Sequence, residues 1–180
     1  MTWLDVVILF AILGFMGLGF AQGLIRRLID LLSLYLGLVV TSFYEPQVSR
    51  RVTAVLGPSD TPGREVFLFL FLLMAVVVAV NVMGYLGYRN TALPFSGTID
   101  RGGGLIVGLV TGLVWVLIAI ILVHFLIQTP WPTYDNIRQF FATAWDHSLL
   151  IPTFANGVSL MGKAISPWLP AGLPVVFALQ

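Results

Sequence analysis

The sequence predicts an all-α membrane protein: about four transmembrane helices in a bundle, with short amphipathic interfacial helices in the second loop and the C-terminal tail. Three observations predict it. Of 180 residues, 58% are apolar and only 9% are charged, against about 25% charged in ordinary soluble domains. Nine Lys and Arg and eight Asp and Glu cannot cover a domain of this size with polar surface. Four apolar stretches reach the roughly 20 residues that cross about 30 Å of hydrocarbon, and most of the charges and all of the prolines fall outside them.

The first span is expected over residues 3–21. Thr2 and Asp5 stand three apart, as an N-cap and its N3 partner do. Trp3 occupies the place of an interfacial anchor. Gly19-Phe20-Ala21 imitates a signal-peptide cleavage pattern. No Lys or Arg precedes the apolar run, however, and its length is that of a retained helix.

The second span is expected over 24–44, with Arg26, Arg27 and Asp30 in its first turns and Glu45-Pro46 ending it. Between 46 and 63, Val48, Val52 and Val55 share one helical face, which reads as a short interfacial helix. The third span, 66–88, is announced by Thr61-Pro62, an N-cap followed by proline at the first helical position. A loop follows over 89–103. The fourth span, 104–127, is stopped by Thr129-Pro130-Trp131-Pro132. These spans form a transmembrane domain, 1–128, followed by an amphipathic, proline-containing tail, 129–180. In the tail, 134–149 carries an apolar stripe at helical spacing, 152–165 is a helix too short to span, and 166–174 is irregular.

The packing signal is Gly104-x-x-x-Gly108-x-x-x-Gly112, a glycine zipper on one helix face. Gly19 and Gly23 repeat its spacing, Gly14 and Gly17 extend that small face, and Ala75 and Ala79 give a weaker version in the third span. Hydrocarbon provides little hydrophobic drive between helices, so close backbone approach supplies much of their association. Such a groove serves either to pack the bundle or to join a second copy.

Little here points to chemistry. The absence of Cys excludes disulfides, thiolate metal sites and cysteine nucleophiles. A net charge of +1 provides no field for nucleic acid. Asp146-His147-Ser148 has the residue types of a hydrolase triad, but three adjacent residues cannot converge as a triad must. Gly102-Gly103-Gly104 lacks the Gly-Lys-Ser/Thr ending of a phosphate-binding loop. The candidate polar membrane residues are Arg26 and Asp30, which pair at four-residue spacing; Asn81, a hydrogen-bonding residue inside the third span; Asp100 and Arg101 ahead of the zipper; and His124 near the end of the fourth span. No cofactor or metal is expected.

Three stretches resemble the colicin V production protein (CvpA) family of bacterial inner-membrane proteins. Trp3-Leu4-Asp5 is similar to that family's Trp-(Ile/Leu)-Asp start, and Gln22-Gly23-Leu24-Ile25-Arg26 to its Arg-Gly-x-x-Arg hairpin. Ser96-Gly97-Thr98-Ile99-Asp100-Arg101, with Gly104, Gly108 and Gly112, resembles its loop and last helix, and Leu150-Ile151-Pro152 matches a tail element. Gln22 replaces the usual Arg, Arg27 stands where an acid is common, and Thr111 stands where Arg is common. The resemblance implies a multi-pass protein of the inner membrane, tied to toxin production or export or to envelope homeostasis; many packing motifs with no buried chemistry make a non-enzymatic role the expectation. Its expected partners are the lipid bilayer and either other membrane proteins or a second copy. A small channel or transporter, or an accessory subunit of a larger complex, are the alternatives. Positive charge is densest around Arg26-Arg27, which favours both termini outside. Relatives with a further domain after the fourth helix imply the same orientation.

Overall fold

A computed structural model describes residues 2–57, 63–87, 97–128 and 135–168. The helices are α1 (Trp3–Gln22), α2 (Leu24–Leu56), α3 (Gly63–Gly87), α4 (Gly97–Gln128), α5 (Asp135–Asp146) and α6 (Ile151–Ile165), closed by a 3-10 turn at Ser166–Trp168. No strand occurs among the described residues.

The outer surface explains the apolar composition. Val7, Phe10 and Leu13 on α1, Phe67, Phe71 and Met83 on α3, and Ile106 on α4 all point outwards. Such a belt is stable only where its outer neighbour is hydrocarbon. By length and composition α1, α3 and α4 can each cross a membrane. The sequence reading has four; α2, which carries buried polar side chains along its length, is not among these three.

The helices α1 to α4 alternate in direction along the chain. α1 packs chiefly on α4, and α2 packs on both α3 and α4. One core joins Leu34 and Leu38 of α2, Phe69, Leu73 and Val77 of α3, and Leu117, Ile118 and Ile121 of α4. Val158, Met161 and Ile165 of α6 belong to it too, so the tail helix packs its apolar face into the side of the bundle. Tyr35 Oη donates to the Ala164 carbonyl (3.4 Å) and accepts from Trp168 Nε1 (2.8 Å), tying the end of α6 to α2. A second core joins Leu4 and Ile8 of α1, Val116 and Ile120 of α4, Ala144 of α5, and Ile151.

Two boundaries differ from the sequence reading. α2 does not stop at Glu45-Pro46; it runs on through Pro46 to Leu56, so no separate interfacial helix follows it. Proline removes one donor and crowds the preceding turn, yet its fixed φ suits a helix when flanking turns hold. Here Thr53 Oγ1 bonds back to the Ser49 carbonyl (2.8 Å), and Arg64 of α3 donates to the Gly57 carbonyl (2.9 Å). α4 begins at Gly97, seven residues before the expected start, and takes Asp100 and the glycine run into its first turns. Of the glycines in these turns, Gly104 lies against the main chain of Gly19 and Gly23, Gly103 lies against the Leu24 side chain, and Gly97 and Gly102 have nothing within 4 Å of a would-be Cβ. The start signal at Thr61-Pro62, residue 88 of the expected third span, residues 89–96 of the expected loop, the stop at 129–132, and 169–174 lie outside the described residues.

Candidate functional site

α1 and α4 cross almost backbone to backbone. A Cβ at Gly108 would lie 2.5 Å from the Phe15 carbonyl oxygen, and one at Gly112 would lie 2.9 Å from Phe15 Cβ. Cβ atoms on Gly19 and Gly104 would each strike the other's main chain. The seam is therefore intramolecular: Gly19, Gly104 and Gly108 face their partners within one chain. Gly14 and Gly17 do not extend this face. Nothing lies within 4 Å of where their Cβ atoms would be. The reason is angular: at 100° per residue, positions two and five before Gly19 point elsewhere on the helix. Ala75 and Ala79 likewise lie on the outward surface of α3.

At the end of this seam the chain turns through Gly23, whose φ of 84° suits glycine. The Asp100 carboxylate fills the space a Gly23 side chain would need and accepts from the Leu24 N–H at 2.9 Å. Asp100 was expected to favour the start of its own helix; it also caps the start of α2. Beside it, the expected Arg26–Asp30 pair is replaced by Arg27–Asp30, 3.3 Å apart. Arg27 points inward, only 3% exposed, whereas Arg26 points outward, 100° further round the helix. Arg27 lies near the Phe15 ring, and its Nε has no partner among the described residues. Arg26 lies over Tyr85 instead, and Arg101 over Phe20.

At the opposite end stands Asp5, 1% exposed. Its carboxylate accepts from the Thr2 N–H (2.8 Å), from Ser148 Oγ, and from the N–H groups of Leu150 (3.2 Å) and Leu149 (3.4 Å). Ser148 Oγ in turn accepts from the Ile151 N–H (3.2 Å). One carboxylate thus satisfies the starts of both α1 and α6, where free N–H groups favour negative charge. Sequence reasoning found Asp5 as a cap of α1 and missed its bond to Ser148, 143 residues away. The available signal was two short polar motifs, Trp3-Leu4-Asp5 and Ser148 before Leu150-Ile151-Pro152, with no local reason to share a pattern. The triad lookalike dissolves here: Ser148 turns in to Asp5 while the exposed His147 bonds the Thr143 carbonyl through Nδ1 (2.9 Å).

The remaining candidates do not converge. Asn81 is half-buried on α3 and has no side-chain hydrogen bond to a described residue. Gln128 Nε2 donates to His124 Nε2 at 2.8 Å, and the ring rests against Trp145. α2 carries a buried polar row that the sequence reading did not single out: Arg27, Ser33, Thr41, Ser42 and Glu45. Ser33 Oγ bonds back to the Ile29 carbonyl (2.7 Å), while Thr41 Oγ1 and Ser42 Oγ find no described partner. Among the described residues no three metal-ligating side chains come together. The apolar interior beside Met161 holds a void of about 10 Å³, and an open groove of about 530 Å³ lies outside, between Trp3 and α5.

An all-helical chain with an apolar exterior and three membrane-length helices is an integral membrane protein. Residues 4–159 match the family model of the colicin V production protein, and the chain belongs to that family. No curated protein and no solved structure matched the chain.

Proposed function

We propose that this protein is a non-enzymatic component of the bacterial inner membrane that acts in toxin production or export, or in envelope homeostasis, through helix–helix contacts with other membrane proteins. The observation that carries the reading is Asp5. Its polar capacity, like that of Ser148 and Asp100, is spent on fastening one helix to another, and catalysis needs groups aimed at a substrate. In this reading α2 is the fourth crossing, its polar row turned inward, and both termini lie outside.

The chain has no Cys, so single cysteines can report orientation cleanly. Arg51→Cys and Thr98→Cys should label from opposite sides of the membrane, Arg51 from outside. Function is tested by purifying the full chain from native membranes in mild detergent and weighing what accompanies it. A stoichiometric membrane-protein partner, lost in Asp5→Asn, is expected. A chain that runs alone and turns over a substrate in vesicles would remove the proposal.

A small channel or transporter is the second reading, favoured by the buried polar row of α2, whose Arg27 Nε, Thr41 Oγ1 and Ser42 Oγ have no partner among the described residues. Solute flux in reconstituted vesicles that disappears with Thr41→Val, and not with the surface change Arg51→Gln, would decide for it.

A further inference from the structure

Two described arginines at one end of the bundle make no hydrogen bond or ion pair with a described residue. Arg26 and Arg101 are exposed, at the end where α1 and α3 finish and α2 and α4 begin. Their guanidinium carbons lie 5.5 Å from the Tyr85 centroid and 5.7 Å from the Phe20 centroid. Both rings face outwards, Tyr85 54% and Phe20 47% exposed. Neither arginine has a carboxylate within 4.0 Å among the described residues. The aspartates of this end are engaged elsewhere, Asp30 with Arg27 and Asp100 with the Leu24 N–H.

An aromatic ring beneath a guanidinium restrains it and leaves its fork of N–H donors directed away. That fork matches a phosphate in a bidentate way. The level is that of head groups, because the apolar windows of α1 and α3 end here. We propose that Arg26 with Tyr85, and Arg101 with Phe20, each hold the phosphate of an anionic phospholipid at this end of the bundle. Among the described residues here, three arginines stand against two occupied aspartates, so the local balance is positive, which favours a net anionic head group over a zwitterionic one.

The test uses the full chain, purified and exchanged into mixed phosphatidylglycerol and phosphatidylcholine vesicles, with retained lipid counted by native mass spectrometry. Wild type should retain phosphatidylglycerol selectively, and an excess of inorganic phosphate should not displace it. Displacement by phosphate would overturn the lipid assignment in favour of a free-anion site. Arg26→Gln and Arg101→Gln should each lower retention about fivefold, and together more than tenfold. Arg51→Gln, at the other end, should leave it unchanged; an equal loss there would reduce the effect to overall charge. Should the double Gln variant fail to fold, Arg26→Lys with Arg101→Lys decides, since it keeps charge and loses the fork. Partial loss supports the stacked site, and wild-type retention overturns it.

Discussion

The α1–α4 and α2–α3 seams both contain glycine, but the glycines do different work. At Gly19, Gly104 and Gly108 the neighbouring atoms are main chain. At Gly37 and Gly84 they are side-chain methyls, Val77 Cγ2 and Ile29 Cγ2, each 2.6 Å from a would-be Cβ. At these three glycines the first seam sets main chain against main chain, and only further along does Gly112 meet the Phe15 side chain. The second is an ordinary interdigitated contact in which one residue is small because its neighbour is large. In hydrocarbon, where close packing replaces the hydrophobic drive, only the first fixes the distance between two helices outright.

The sharpest way to break this contrast is Gly108→Leu. It should abolish recovery of a monodisperse, helical species in mild detergent, because the Phe15 carbonyl cannot yield. Recovery of folded chain in normal amounts would mean that the seam is not closed as described. Next comes Asp5→Ala, which frees the start of α6 at Leu149–Ile151 without touching either seam. Amide exchange at Leu149–Ile151 should accelerate by at least about tenfold while the centre of α4 stays protected; uniform acceleration would make Asp5 a determinant of the whole fold.

The comparison itself is sharpened by a paired substitution. Gly37→Ala alone should destabilise by about 1–2 kcal/mol through overpacking. Adding Val77→Ala should recover part of that loss, the coupling expected of neighbours in contact. Gly108→Ala should cost more than Gly37→Ala, and Phe15→Ala should not rescue it, since the obstructing atom is a carbonyl. Asp100→Ala should cost about 1 kcal/mol, the usual worth of an N-terminal cap. Gly14→Ala should change stability least, within about 0.5 kcal/mol or slightly upward, because nothing lies near it and alanine suits a helix better. A large loss there would place an unrecognised partner on the outer face of α1.

Residues 2–57 show where reading along the chain works and where it stops. The Thr2–Asp5 start and the hairpin at Gly23 were legible because caps and turns are local. The continuation of α2 through Pro46 was not, since a proline's local cost is visible in sequence while the contacts that offset it are not. The early start of α4 was hidden in the same way: a run of glycines reads as loop, and the contacts of Gly103 with Leu24 and of Gly104 with the α1 main chain are not visible along the sequence.

By itself the sequence determined the solvent and the elements. Apolar runs of membrane length, with charges and breakers between them, leave hydrocarbon as the only suitable surroundings, and helix is the form that satisfies the backbone there. Membership of the colicin V production family was legible for the same reason, since its motifs are short and local. Tertiary structure alone decided which glycines meet main chain, that Arg27 and not Arg26 pairs with Asp30, and that Asp5 holds the tail. Each depends on the direction a side chain takes around a helix and on which helix stands opposite, and spacing along one chain carries the first only in part and the second not at all.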